Sequence, residues 1–153
     1  MPAPTDITPA GRELYAYLNT GTYGTPVWAE IKRIENLSAP RGKNTGPLKI
    51  RGSAFEKVVP GQKTHTLAFN YVRKRATDAV FTALQDSYDN DTHVQIALTD
   101  LPAADPAAVG TKAYYIVTKF DEKQDLEAPW SHDVELALVE HIEGGNEIDP
   151  EAF

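Results

Sequence analysis

The sequence has no cysteine, a single methionine and no apolar run that approaches the length needed to cross a bilayer. Without cysteine, disulfides, thiolate metal sites and cysteine nucleophiles are excluded. A membrane-spanning helix needs roughly 20 consecutive apolar residues, and a secretory leader has a basic segment before an apolar one. Neither pattern is found, so we expect a soluble protein that is cytoplasmic at synthesis and has no membrane partner.

Lysine and arginine are missing from the last thirty residues, although this stretch contains nine carboxylates. Eleven of the fifteen cations lie between Lys32 and Arg75, whereas the whole chain has a formal charge of −7. A net acidic protein lacks the basic footprint that neutralises phosphates, so we expect no specific binding of nucleic acid. The asymmetry has two interpretations: a solvated acidic end, or unlike surfaces that meet on different copies of the chain.

The motifs of common catalytic sites are also missing. The chain contains neither a phosphate-binding Gly-x4-Gly-Lys loop nor a dinucleotide-binding Gly-x-Gly-x-x-Gly turn. Asp86, Asp89 and Asp91 lack the glycine and the distal glutamate of a calcium loop. Glu135 and His141 would be about 20 Å apart on one strand, too far to share a metal. We predict no catalytic, cofactor-binding or metal site, and a protein that is not an enzyme.

Length and composition are those of one compact domain: 153 residues, of which 41% are apolar and 24% charged. Residues 1–26 hold several prolines and glycines and predict a flexible N-terminal arm and a turn, although Glu13–Leu18 fits either a short helix or a strand. Residues 27–142 are predicted to form the folded domain. Residues 143–153 are predicted to be an acidic C-terminal tail, released at its glycine pair.

The first half of the domain shows short strand patterns around a polar segment. Val27–Leu37 alternates at its start and then repeats every three residues, which a strand with a bulge near Lys32 or Arg33 would explain. Residues 38–47 are polar and contain proline and glycine, so they predict a loop that carries basic charge into solvent. A turn is expected at Pro60-Gly61.

The second half gives clearer signals. Thr64–Val72 alternates between apolar and polar residues and predicts a strand. Asp78–Tyr88 has apolar residues at helical spacing, with Thr77 as the predicted N-cap. Three further strands are predicted, at residues 93–98, 113–120 and 133–142. This order predicts a mainly β fold with one helix, an antiparallel β-sandwich or barrel flanked by a single α-helix.

This succession of elements resembles the major tail tube proteins of long-tailed bacteriophages and the related tubes of contractile systems and gene transfer agents. Trp28–Ser38 is similar to the family's first strand, which leads into a long loop. Phe55–Gly61 with Thr64–Tyr71 resembles the strand pair before the family's helix, and Asp78–Tyr88 lies in the helix position. The resemblance implies hexameric rings stacked into a tube, with tape-measure, sheath or baseplate proteins as further partners. It also implies a final location in a virion tail or a tail-like particle.

A basic loop and an acidic terminus on one chain would supply the unlike surfaces that head-to-tail assembly needs. We predict that cations of one subunit face carboxylates of the next ring. The residues are Arg41, Lys43, Lys49 and Arg51 on the loop and Glu143, Glu147 and Asp149 on the tail. Exposed ion pairs contribute little each, so these would steer the register and direction of stacking. Some of the other carboxylates are expected to face the lumen and repel DNA phosphates.

Two alternatives stay open on sequence grounds. A monomeric β-sandwich that binds a sugar or a peptide would have the same strands and would expose aromatic residues near its loop tips, with Tyr23, Trp28 and Trp130 as candidates. A tube subunit of a secretion or contractile injection apparatus would share the sequence pattern of a phage-tail subunit. The oligomeric state distinguishes the first alternative, and the neighbouring genes distinguish the second.

Overall fold

The structure, a computed structural model, describes residues 14–124 and 126–153. The strands are β1 (Tyr15–Asn19), β2 (Trp28–Glu30), β3 (Ile34–Ser38), β4 (Arg41–Leu48), β5 (Lys57–Val72), β6 (Val94–Thr99), β7 (Gly110–Lys123), β8 (Ser131–Leu138), β9 (Ile142–Glu143), β10 (Asn146–Glu147) and β11 (Glu151–Ala152). The helix of the described residues, α1 (Ala79–Asn90), follows β5. The strand pairs are antiparallel. The prediction of a mainly β antiparallel fold with one helix is therefore confirmed.

One sheet with the strand order β2-β1-β6-β7-β8-β5-β3 forms the body of the domain. Its two edge strands, β2 and β3, are consecutive in the chain and are joined by residues 31–33. Three residues span about 10 Å, so the sheet curls until its edges lie side by side. The backbone N–H of Ile31 donates to Ala16 in β1, and that of Val72 in β5 donates to the carbonyl of Arg33. We call this junction between the two sheet edges the seam. It lies at residues 31–33, where the sequence predicted a bulge near Lys32 or Arg33 within one strand.

The curled sheet encloses an apolar core, to which the helix adds one face. The buried core residues are Ala16, Leu18, Ile31, Leu67, Phe69, Tyr71, Val80, Phe81, Leu84, Val94, Ile96, Ala113, Tyr115, Val117, Val134 and Leu136. Along the strands these core residues recur at every second position, and on the helix the buried residues recur at three- to four-residue spacing. Burial thus follows the apolar periods of the sequence, which is why these elements form where they do.

Helix α1 packs beside β7 where the pairing of β7 with β6 ends, at Tyr115. There the hydroxyl of Ser87 accepts a hydrogen bond from the backbone N–H of Val117 and donates one to the carbonyl of Thr92. The helix therefore satisfies a strand N–H that lies beyond the ladder with β6. Tyr88, which fits the apolar face by spacing alone, is about half exposed because Ser87 occupies the buried position.

The N-cap of α1 is Asp78 rather than the predicted Thr77. The carboxylate of Asp78 accepts hydrogen bonds from the backbone N–H groups of Val80 and Phe81 and from the hydroxyl of Tyr71. A carboxylate also interacts favourably with the positive end of the helix dipole, which a threonine hydroxyl does not. Burial, followed by the hydrogen bond to Asp78, raises the pKa of Tyr71.

The predicted loop at residues 38–47 is mostly a strand. β4 pairs with residues 57–65 of β5, and the two form a long β-hairpin whose turn is residues 49–56. The prediction was wrong because both faces of this ribbon are exposed, so its sequence shows no alternation of apolar and polar residues. We call residues 41–65 the hairpin.

The predicted turn at Pro60-Gly61 is also wrong, since both residues lie inside β5. The register of the hairpin shifts between Lys43 and Thr45, so that two residues of β5, Gly61 and Gln62, lie opposite the single residue Asn44 of β4. A Cβ added at Gly61 would lie 2.9 Å from the carbonyl oxygen of Asn44, which explains the glycine. The proline and glycine therefore mark a β-bulge, a position where a strand tolerates both residues.

Within the described residues, the predicted arm and the predicted tail both contain strands. Residues 1–13 lie outside the described residues, but β1 follows at Tyr15 and pairs with both β2 and β6. At the other end, Gly144 and Gly145 have φ angles of 62° and 80° and form the turn of the short β9–β10 hairpin. β11 then pairs with the start of β7. The acidic end folds back onto the sheet because β7 extends beyond β8 and offers it backbone partners.

Candidate assembly surfaces

The hairpin extends from the curled sheet as a two-stranded ribbon. Residues 57–64 are all exposed, and so is β4 apart from the half-buried Gly46. The eight residues of β4 span about 26 Å. At the base of the ribbon, the guanidinium of Arg41 donates to the hydroxyl of Thr111 at 3.1 Å. A two-stranded ribbon with no covered face is at most marginally stable in water, so its faces are suited to contact with another molecule.

Large apolar side chains are exposed on the outer part of the hairpin. They are Leu48, Ile50, Phe55, Val58 and Val59, which we call the apolar tip. Phe55 is 78% exposed and Val58 is 65% exposed. Single exposed apolar residues are common on proteins, but a group of this size is typical of a protein–protein contact.

The hairpin is also strongly basic. Between Arg41 and His65 the chain has six cations and one carboxylate. Of the four cations predicted to make contacts, Arg41 and Lys43 lie near the base, whereas Lys49 and Arg51 lie in the turn at the far end. The two pairs are roughly 20 Å apart along the ribbon. In the part of the chain that the structure describes, none of these four cations forms an ion pair.

The three predicted carboxylates lie on residues 139–153, which we call the C-terminal segment. Glu147 and Asp149 are exposed, on β10 and just after it. Glu143 is half-buried, and its Oε2 lies 3.3 Å from Nε2 of His141. Glu147 and Asp149 can therefore meet another subunit, whereas Glu143 is engaged within its own. The structure does not bring the basic and acidic sets together inside one subunit.

The outer face of β7 and β8 carries charges that pair with one another. Nζ of Lys119 lies 3.5 Å from Asp121 and 3.9 Å from Glu135. Nζ of Lys123 lies 2.6 Å from Asp133. Exposed pairs of this kind contribute little stability, but they bring the charge of the face close to neutral.

The three aromatic residues considered for ligand binding all have partners within the subunit. Tyr23 is hydrogen-bonded to Glu151, which raises the pKa of the tyrosine. The ring centroid of Trp28 lies 5.5 Å from that of the C-terminal phenylalanine. The guanidinium of Arg73 lies 3.9 Å from the ring centroid of Trp130. These contacts give each aromatic side chain a structural role.

In the described ranges, no three histidine or acidic side chains are grouped in a way that could hold a metal ion. A depression of about 530 Å³ lies at the seam between β2 and β3, lined largely by aliphatic residues. The charged groups at its rim, Glu30 and Lys32, pair with each other at 3.7 Å. In residues 14–124 and 126–153, no helix is long and apolar enough to cross a membrane.

No family model and no curated protein matches the chain, but solved structures do. The SPP1 tail tube is 13% identical over 84% of this chain and 74% of that chain, with a TM-score of 0.70. The tail of an empty gene transfer agent particle, described with C6 symmetry, is 14% identical over 86% of this chain and 95% of that chain, with a TM-score of 0.66. The sheath–tube complex of an extracellular contractile injection system, PVC, is 10% identical over 97% and 95%, with a TM-score of 0.64.

These similarities show the fold. The chain has the fold of the tube proteins of phage tails, gene transfer agents and contractile systems, as the resemblance in the sequence predicted. At 10–14% identity the similarity does not transfer individual contacts. The surfaces described above therefore rest on the geometry of this chain.

Two features of these surfaces were missed from the sequence. The apolar tip had a signal, because Phe55 and Val58 interrupt an otherwise polar and basic segment. The contact between His93 and His141 had none, since these residues are 48 positions apart and neither belongs to a motif.

Proposed function

We propose that the chain is a structural, non-enzymatic subunit that assembles with copies of itself into rings, and that the rings stack into a tube. The observation that carries this proposal is the hairpin, an ordered ribbon whose residues are almost all exposed in the single subunit. Ordering the backbone costs about 1–2 kcal/mol per residue, and a ribbon without a packed face recovers little of it. Contact with another subunit would supply the missing burial.

A second copy of the chain is the partner that the charges favour. The hairpin is basic, whereas the chain as a whole has a formal charge of −7, so the remainder of each subunit is strongly acidic. A basic projection and an acidic body are unlike surfaces, and a contact between unlike surfaces repeats head to tail. Such contacts give a ring when the rotation closes and a filament when it does not. The fold similarity to tube proteins supports an assembly that does both.

Six subunits per ring is part of the proposal. Its support is the C6 symmetry of the gene transfer agent tail, whose fold this chain shares. A tube of this kind would have a tape-measure protein as a partner inside, and sheath or baseplate proteins as partners outside. Its location would be a virion tail or a tail-like particle. The proposal covers phage tails, gene transfer agents and contractile injection systems alike.

Apolar contacts and charges would have separate roles between rings. The apolar tip would provide most of the affinity, because burial of apolar area is the main favourable term in association. Lys49 and Arg51 at the far end of the hairpin would face Glu147 and Asp149 of the next ring. Exposed pairs steer the approach and fix the register more than they hold the contact together. We assign Arg41 and Lys43 to the base of the same contact.

The expectation that some carboxylates face the lumen stays a proposal. The outer face of β7 and β8 is an uncovered part of the sheet, and lysines compensate its carboxylates. Two lysines against three carboxylates leave this face slightly negative, so a lumen lined by it would repel DNA phosphates only weakly.

A substitution at the apolar tip tests the proposed function. Phe55→Ser should leave the subunit folded, because the side chain is 78% exposed, and should abolish tubes or raise the concentration at which they form. Leu126→Ser is the matched control, since Leu126 is fully exposed on the loop between β7 and β8, away from the hairpin. Circular dichroism checks folding, and light scattering with negative-stain microscopy follows assembly. Tubes formed by Phe55→Ser at the wild-type concentration, or a wild-type monomer at every concentration, would contradict the proposal.

A monomeric ligand-binding module is not favoured by any contact on the described surface. Its candidate aromatic residues are occupied within the subunit, as described above. The exposed apolar groups lie on a projecting ribbon rather than in a cleft, which fits a protein surface better than a small ligand.

A further inference from the structure

The two ends of the curled sheet are covered differently. At the end where β5 and β7 finish and β8 begins, α1 lies over the core, and the ring of Phe81 contacts those of Tyr71, Phe120 and His132. At the opposite end, β1 and β7 begin and β3 and β6 finish. Apolar side chains are exposed there instead, and the hairpin projects from this same end.

Two adjoining depressions form this open end. The depression of about 530 Å³ at the seam and a second one of about 250 Å³ share Leu14 and Leu37 in their walls. Leu14 is 50% exposed and Val109 is 69% exposed, so an apolar surface is left open to water in the single subunit. A surface of this kind is typical of a contact with another protein. Its apolar residues, which we call the apolar mouth, are Leu14, Ile31, Ile34, Leu37, Leu98 and Val109.

One wall of the apolar mouth is held in place by hydrogen bonds. It is the connection from β6 to β7, residues 100–109. The backbone N–H of Asp100 donates to the carbonyl of Val109 at 3.1 Å, and the N–H of Val109 donates to the carboxylate of Asp100 at 2.8 Å. The N–H of Ala103 donates to the hydroxyl of Tyr17 at 3.0 Å. A partner would therefore meet a preformed surface and would not have to order it on binding.

The apolar tip of another copy is the occupant that this surface favours. The tip of the same subunit cannot reach it, because Arg41 at the base of the hairpin bonds to Thr111 beside the mouth and an extended β4 carries the tip about 26 Å away. The charges are complementary. Residues 100–109 carry two carboxylates and no cation, whereas residues 48–58 carry three cations and one carboxylate. Opposite charges around two apolar surfaces favour their contact and fix its orientation.

The apolar mouth also adjoins the C-terminal segment. The backbone N–H of Phe153 donates to the carbonyl of Gly110 at 3.0 Å, directly after the wall that ends at Val109. A hairpin seated in the mouth would thus bring Lys49 and Arg51 towards the segment that carries their proposed partners. The apolar and the ionic contacts would form one continuous surface.

We propose that the apolar mouth is the docking site for the apolar tip of a second copy, with Phe55 and Val58 covering Leu37 and Val109. This inference rests on the proposed function and adds the surface on which the tip lands. Each copy has one tip and one mouth, and they lie too far apart to meet within the subunit. The contact therefore leaves a free tip on one copy and a free mouth on the other, so it can repeat.

Cysteine cross-linking tests the proposal, because the chain has no cysteine of its own. Val58→Cys and Val109→Cys each replace an exposed valine with a side chain of similar size, so both full-length variants should fold and assemble. One variant carries a tag, so that the mixed dimer has its own mobility on a gel. The two are mixed in equal amounts, assembled and oxidised. A disulfide needs Cβ atoms about 4 Å apart, so the mixed dimer should form in high yield.

The matched control is the mixture of Val58→Cys with Val27→Cys. Val27 is 57% exposed, in the loop between β1 and β2 at the other end of β1. The yield of mixed dimer should be at least about tenfold lower than with Val109→Cys. Tubes that form with equal yields in the two mixtures would overturn this inference and leave the proposed function standing. The same result is expected if a different part of the chain or a foreign apolar molecule fills the mouth. A wild type that forms no tubes would contradict the proposed function, and this inference with it.

A charge placed in the mouth gives a second readout. Val109→Asp, checked for folding by circular dichroism, should raise the concentration at which tubes form by about tenfold or more, because burial of the carboxylate opposes docking. Val27→Asp should raise it much less. An unchanged assembly concentration for a folded Val109→Asp would overturn the proposal.

Discussion

The contribution of α1 to the core can be measured by shortening its most buried side chain. Leu84 is 0% exposed and lies between the helix and the curled sheet, together with Val80 and Phe81. Leu84→Ala removes buried methyl groups and leaves a cavity that a closed sheet cannot easily collapse into. Changes of this kind cost about 3–5 kcal/mol. Against a typical domain stability of about 5–15 kcal/mol, the variant should remain folded at 25 °C but with a much smaller margin.

Denaturant unfolding is the assay, because it reports the free energy of unfolding and the slope with denaturant separately. Leu84→Ala should lower the midpoint with an unchanged slope, and a thermal scan should show a melting temperature lower by about 6–20 °C. Leu126→Ala, the same substitution at a fully exposed position, should change the free energy by less than about 0.5 kcal/mol. A loss below about 1 kcal/mol for Leu84→Ala would refute the placement of α1 against the core.

Two further predictions concern pH and charge. Burial among Phe81 and Phe120, with Arg73 nearby, lowers the pKa of His132. The neutral ring should therefore contribute its full stability above about pH 6.5, the pKa of histidine in the unfolded chain, and this contribution should be lost as the pH falls below that value. His132→Phe should flatten this part of the pH profile of the free energy of unfolding, and an equally steep profile would contradict the assignment. Replacing Lys49 and Arg51 with glutamate should slow tube assembly at low salt, and the slowing should be smaller at high salt. Adding lysines at Glu147 and Asp149 should restore the rate measured by light scattering; a further slowing would refute the proposed facing of these groups.

Elements that bury residues within their own subunit could be predicted from the sequence. The inward positions Leu67, Phe69 and Tyr71 on β5 and the helix residues Val80 and Leu84 follow directly from apolar period, and the structure buries all five. Such periods record which side of an element avoids water, so they identify elements that pack against the rest of the chain.

Residues 113–120 are apolar on both faces, a pattern typical of a strand buried on both sides, and the first half of β7 is buried in this way. Ala113 and Tyr115 face the core, and Tyr114 between them is 7% exposed. The cover over Tyr114 is the C-terminal segment, through His141, rather than a second sheet. The sequence could indicate that both faces are covered, but not by what, because the covering segment shows no apolar period of its own.

The charged residues that make the proposed contacts could be named from the sequence, but their positions relative to one another could not. The concentration of cations was visible in the sequence, but the separation of Arg41 and Lys43 from Lys49 and Arg51 required the hairpin geometry. The hairpin itself could not be predicted, since a ribbon exposed on both faces carries no burial pattern. The pairing of Glu143 with His141 likewise depended on the fold-back of the chain end.

The seam between β2 and β3 has a mechanical consequence. The hairpin follows β3 after two residues, and its second strand continues directly into the sheet as β5, so tension applied to the ribbon enters the domain through both β3 and β5. Just before β3, residues 31–33 lead back into β2, which is held by β1. The load is thus divided between ladders on both sides of the seam, and these resist it in shear, with many hydrogen bonds strained at once. A subunit whose chain passes from one sheet edge to the other in this way would resist a stretching force better than a subunit in which a single edge strand bore the whole force.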